Sequence, residues 1–340
     1  MSNRNSSLEL LRVFCMWGII AMHTFGPWLY SSSGINWQYG ILINSIFNMG
    51  VTVFMLITGY FGLRLSIEKI IRLELLVVFY TLLTEILNYY FLDKSFSLNM
   101  ILDILFPISR GKYWYMSVYI VICLCSEALN LCEKELEKKR YSMLLIVLIF
   151  FYYIIPTITL SNKSFTYDWG KGIVNMVIVY LIGRYIRSYL DFYISPIKTF
   201  QWTLAIILLC CVGNHIITAN SISVGIALLL SRDNSVLILV SSILLFITFK
   251  NMCFYSALIN YIASFVVDIY LVEGVICNLI FKIWDINKYS SSNLFFAINM
   301  VCVSLIMGIS FMVSVIRRYS LTKYEKAISR NLADKIQSFL

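Results

Sequence analysis

The chain has 340 residues, 60% of them apolar and only 13% charged, with 27 basic against 18 acidic residues and a formal net charge of +9. A soluble domain of this size carries roughly a quarter charged residues, so there is too little charge here to clothe a water-facing surface. About 200 apolar residues, at roughly 20 per crossing, supply about ten membrane spans and exclude a soluble enzyme, a disordered chain and a single-anchor protein.

In chain order, apolar runs bounded by charge or turn residues predict spans over 10–30, 41–61, 73–92, 114–132, 142–160, 170–188, 200–219, 233–249, 257–281 and 293–316. The first opens with Glu9 and Arg12 and lacks a small-residue cleavage site, so it should remain as a span rather than be removed as a signal peptide. Leu98–Ile108 and Ile222–Leu230 are too short to cross and read as interfacial or re-entrant pieces. The tail, 317–340, is basic and partly amphipathic, suited to anionic headgroups. The domain reading is a single transmembrane domain over 1–316 followed by that cytoplasmic tail. With both termini inside, most of the basic residues fall on the cytoplasmic side, as the positive-inside rule requires.

Nine cysteines are present, but no CxxC or Cys/His spacing accompanies them. Cys15, Cys123, Cys125, Cys210, Cys211, Cys277 and Cys302 lie in apolar runs and read as buried thiols, with no metal site expected. Away from their ends, the spans hold no Lys or Arg but four acids, Glu85, Glu127, Asp268 and Glu273. An ionisable group at the bilayer centre costs several kcal/mol, so such residues face a cavity or a partner, and function is sought among them.

The first span carries a polar stripe. Arg12 and His23 are eleven residues apart, about 20° past three full turns, so they share a helix face at about 16 Å along the axis. Glu9, one turn before Arg12, can hold its guanidinium. Read blandly, Glu9 and Arg12 flank the inner surface and His23 bonds a carbonyl; read chemically, an imidazole so placed can take a proton from a hydroxyl near neutral pH.

The motifs then align in order. Arg12-x10-His23, preceded by Arg4–Leu11, resembles the opening of the integral-membrane acyltransferase 3 family. Phe54–Tyr60 (FMLITGY) is similar to its FFxxSG-type segment, and Tyr113–Met116 followed by Leu129-Asn130 to its WYL…SPLLN segment. Asn175–Arg187, Asn234–Asn251 and Ser264–Glu273 resemble its LYLIGxYIR, LFLLFKN and SFGIYLIH blocks. The resemblance runs over about residues 4–280, and its nearest branch O-acetylates bacterial capsular or exopolysaccharides.

That resemblance implies that Arg12 and His23 are the required pair, His23 acting as base or acyl carrier. It implies too that Lys69-Ile70-Ile71-Arg72, similar to the family's RxxR, holds the phosphates of acetyl-CoA with Arg64 nearby. Without it, these three residues read equally as positive-inside flanking. Glu273 replaces the family's histidine and Asp268 its glycine; about 140° apart on a helix, they do not form one dyad. Glu273 can substitute as acid or base, orient His23, or merely line a cavity. Glu127 replaces the proline of SPLLN, with no role that the sequence gives. Trp114, Tyr115, Asp268, Tyr270 and Glu273 are candidate cavity-lining residues, although Trp114 with its tyrosines also fits an aromatic belt. His215 reads as structural.

The expectation is therefore an all-α bundle of ten transmembrane helices around a polar cavity, in the bacterial cytoplasmic membrane. It would move an acetyl group from cytoplasmic acetyl-CoA, the acyl donor, to a hydroxyl of a cell-surface polysaccharide or its lipid-linked precursor. Membrane lipids, acetyl-CoA and a glycan or glycolipid acceptor are the expected partners, with no nucleic acid. The rival reading is a polysaccharide or lipid-linked-sugar flippase, which needs neither an aligned Arg–His pair nor a CoA-binding loop; a sensor that only binds acyl-CoA would show no turnover.

Overall fold

The computed structural model describes residues 5–26, 34–160, 168–191, 193–219 and 228–339, and among these the chain is helices and connecting turns with no strand. Helix α1 runs Ser6–Phe25, α2 Ile35–Phe47, α3 Met49–Phe61 and α4 Ile67–Phe91. A short α5 (Leu98–Leu105) leads to α6 (Trp114–Leu124) and α7 (Ser126–Glu135). Helix α8 covers Lys138–Ile158, with a π-helical turn at Phe150–Ile154 beside Pro156, whose missing N–H breaks the regular ladder. There follow α9 (Ile173–Tyr189), α10 (Pro196–Ala219), α11 (Val236–Asn251), α12 (Ala257–Ala263), α13 (Val266–Ile283) and α14 (Phe295–Phe339).

Local chemistry sets the helix starts. The Asn5 side chain accepts from the Ser7 N–H at 3.1 Å, Ser66 from Lys69 at 3.4 Å, Ser235 from Leu237 at 3.3 Å and Ser256 from Ile259 at 3.4 Å. Each satisfies an N–H that the first turn leaves without a helical partner.

Each expected span falls mainly on one or two of these helices; residues 27–30 lie outside the described residues, as does most of Ile222–Leu230. Among the described residues, five helices (α2 and α3 together counting as one) are long and apolar enough to cross a membrane, or seven if each sharply bent pair is one span, so the chain is a multi-pass membrane protein, with fewer such helices than the ten spans expected. Four expectations are corrected. Span 114–132 is two helices, α6 and α7, meeting at 56°. Cys125 lies at their junction and is exposed rather than buried, and Glu127 lies in the exposed first turn of α7 rather than in a span interior. Proline and an acid both suit a first helical turn, one by its fixed φ and the other by its charge, which accounts for Glu127 where a proline is expected. Span 257–281 is likewise two helices at 56°, and α14 runs unbroken from the last span through the basic tail.

Helix α1 is the axis of the molecule, touching α2, α3, α11, α12, α13 and α14. Two apolar clusters meet on it. One joins its first half (Leu8, Leu11, Cys15) to α3, α6, α8, α9 and α11; the other joins its second half to α2, α4, α13 and α14. Between helices in lipid the apolar surface supplies no net drive, so close backbone approach matters more. Gly59 of α3 and Gly183 of α9 provide it: a Cβ on Gly59 would overlap the Tyr180 carbonyl, and one on Gly183 would press on the α3 backbone at Leu56 and Tyr60.

Candidate active site

A cavity of about 120 Å³ opens at the seam of the two clusters. Val51, Phe54 and Tyr115 belong to the margins of both clusters and to the cavity wall. From α1 the wall takes Met16, Ile19, Met22 and His23, the face that the helical period assigns to the polar stripe.

His23 Nδ1 lies 2.7 Å from Oε1 of Glu273, on α13, 250 residues along the chain. Where Glu273 accepts this bond, Nδ1 is the donor and Nε2 of the neutral ring is the acceptor that faces away from the carboxylate. The His23 side chain is half accessible and that of Glu273 only 5%, so the ring reaches the cavity while the carboxylate stands behind it. The second carboxylate oxygen, Oε2, is buried and has no hydrogen-bond partner among the described residues. A carboxylate so placed fixes the tautomer and orientation of the ring and stabilises the imidazolium that forms when Nε2 takes a proton.

Arg12 binds Glu9 at 3.4 Å, and its charge bears on Tyr115 and Tyr119 of α6. Trp114, Tyr115 and Tyr270 all line the cavity of His23, with ring centroids 5.9 Å apart for Trp114–Tyr115 and 6.2 Å for Tyr115–Tyr270. Tyr113 donates to the Leu271 carbonyl at 3.0 Å, tying α6 to the segment of α13 that carries Glu273.

Asp268 is placed elsewhere. It is buried on the α4–α14 side of α13, accepting from Tyr80 at 3.1 Å and pairing with Arg317 at 3.3 Å and Arg318 at 3.7 Å. The 140° turn from Glu273 carries it off the cavity, and α14 supplies the cations that make its burial tolerable. Glu85 is paired too, with Lys112 at 2.5 Å and Asn88 at 3.3 Å. His215 is exposed on α10 and is not part of the cavity wall.

Lys69 and Arg72 lie in the first two turns of α4 and Arg64 in the turn before it; all three are exposed, and among the described residues none is ion-paired. Cations near a helix N-terminus oppose the macrodipole by some 0.3–1 kcal/mol each, a cost that topology alone does not require at these positions. The same end of the bundle gathers the Arg184–Glu133 pair, Arg187 on the Tyr60 hydroxyl at 3.1 Å, and the start of α1, where Ser6 N–H donates to the Phe254 carbonyl at 3.1 Å.

Sequence reasoning missed Asn48, Lys171 and Asp233, all on the cavity wall. Lys171 and Asp233 stand at the very starts of the expected spans 170–188 and 233–249 and drew no attention as boundary charges.

Comparison with protein families finds a match to the model described as an acyltransferase domain, acyltransferase 3, over residues 5–315. No curated protein and no solved structure matches the chain.

Proposed function

The chain belongs to the acyltransferase 3 family, and on that premise we propose that it transfers an acetyl group from cytoplasmic acetyl-CoA to a hydroxyl of a cell-surface polysaccharide or its lipid-linked precursor. The observation that carries the reading is the 2.7 Å bond between His23 Nδ1 and Glu273 Oε1 beside a cavity within the bundle. His23 Nε2 takes the proton of the acceptor hydroxyl as its oxygen attacks the thioester carbonyl. The C–O bond forms, the C–S bond breaks, and the imidazolium returns the proton to the departing thiolate. Glu273 holds the charge of the imidazolium between those two events. Arg12, kept in place by Glu9 about three turns before His23 on α1, orients the donor on its way to the cavity, and Lys69, Arg72 and Arg64 take its phosphates, the Arg forks by paired hydrogen bonds and Lys as a point charge.

In this proposal the chain crosses a bacterial cytoplasmic membrane ten times with both termini inside, so the donor enters from the basic end and the acceptor from the other. The test is His23→Ala with O-acetyl content and export of the surface glycan measured together. Loss of acetylation with export intact is expected. Loss of export with unchanged acetyl content per chain would falsify the assignment in favour of a transporter.

A further inference from the structure

The wall facing His23 carries an acid and an amine that the transfer step does not use. Asp233, 3% exposed, and Lys171 both line the cavity, and no ion pair joins them. Lys171 is near enough to bear on the charge of both His23 and Asp233, and Asn48, whose amide donates to the Ser231 carbonyl, stands on the same wall.

The two turns that present them are keyed to each other. Trp169 (φ 58°) and Gly170 (φ 84°) are both in the left-handed region, which a tryptophan adopts only under strain. That strain is held by contacts: the Arg232 guanidinium lies 3.7 Å over the Trp169 ring, and Asp168 accepts from the Gly170 N–H at 2.9 Å. Gly170 lies so close to the Asp233–Asn234 backbone that a Cβ there would collide with the Asn234 nitrogen. Strained turns kept in place by surrounding contacts concentrate at binding and catalytic sites.

We infer that Asp233 and Lys171 form the acceptor subsite, gripping one neutral sugar ring so that a neighbouring hydroxyl of that ring meets His23 Nε2. A carboxylate only accepts and an ammonium only donates, and a hydroxyl serves both. Trp114, on the same wall, offers an apolar surface to the C–H face of the ring. A phosphate is disfavoured beside Asp233, which separates this end of the cavity from Lys69 and Arg72. The inference rests on the acyl-transfer reading above.

The experiment uses the purified full-length protein, acetyl-CoA, and as acceptor probe the surface polysaccharide of the source cell stripped of O-acetyl groups by mild alkali; released CoA is measured. Lys171→Met and Asp233→Asn are expected to raise the acceptor KM about 10-fold or more, the loss of a hydrogen bond to a charged group. The KM for acetyl-CoA should stay within about two-fold, and Asp233→Glu should recover part of the loss. An unchanged acceptor KM in folded Lys171→Met overturns the subsite, and so does a raised acetyl-CoA KM. Lys171 is exposed, so that variant decides the matter even where Asp233→Asn does not fold. His23→Ala runs in parallel. If it still releases CoA on adding acceptor, the acyl-transfer reading itself falls, and the subsite with it; if it is inactive while Lys171→Met is unchanged, the subsite alone falls.

Discussion

Glu273 gives His23 one oxygen and keeps the other buried, without a partner among the described residues, so its charge is concentrated behind the ring. Glutamine preserves the shape of that contact but not the charge, and its amide can hold the wrong tautomer. Glu273→Gln is expected to lower kcat by about 10²–10⁴-fold with both KM values nearly unchanged, read from acceptor-dependent CoA release. The alignment of Arg12 with His23 was legible in the sequence because an eleven-residue spacing is a local property of one helix. The partnership of His23 with Glu273 was legible only as one option among three, since it joins residues 250 apart and depends on how α13 rotates against α1.

Helix α4 begins with Lys69 and Arg72 where its dipole favours acids, an arrangement that an arriving polyanion would relieve. Lys69→Ala and Arg72→Ala should each raise the KM for acetyl-CoA about 3–10-fold without moving that for the acceptor, and the wild-type KM should rise with added salt. At the α3–α9 crossing, Gly59→Ala forces the Tyr180 backbone away, and overpacking of this kind costs about 1–3 kcal/mol. A lower melting temperature in detergent, with catalytic parameters of the surviving protein near normal, is the expected outcome. Hydropathy found the positions of these helices because lipid demands long apolar runs. It missed the 56° bends at Cys125 and at Ser264-Phe265 because a bent apolar run has the same hydropathy as a straight one.

Across the whole molecule, Arg317 ties three elements together. It pairs with Asp268 of α13 and Glu325 of its own helix, close to the Tyr80 hydroxyl of α4 that also reaches Asp268. Removing one member leaves a buried charge uncompensated, so Arg317→Met should destabilise the fold by about 3–5 kcal/mol in thermal or denaturant unfolding. Combined with Asp268→Asn it should cost less than the sum of the two single changes, as residues of one network do. Sequence gave the bilayer edge at residues 316 and 317, where apolar residues yield to basic ones, but composition does not reveal that the helix continues or that the first arginine turns inward. Further along α14, Ala333, Asp334 and Gln337 share a cleft with Ser66 and Glu127, at the turn between α3 and α4. For anyone engineering the protein, a reporter fused at the C-terminus would therefore be tethered a few residues from the turn that leads into Lys69. A truncation placed at the hydropathy boundary, after Ile316, would discard the guanidinium that neutralises Asp268 and strand that carboxylate in the interior.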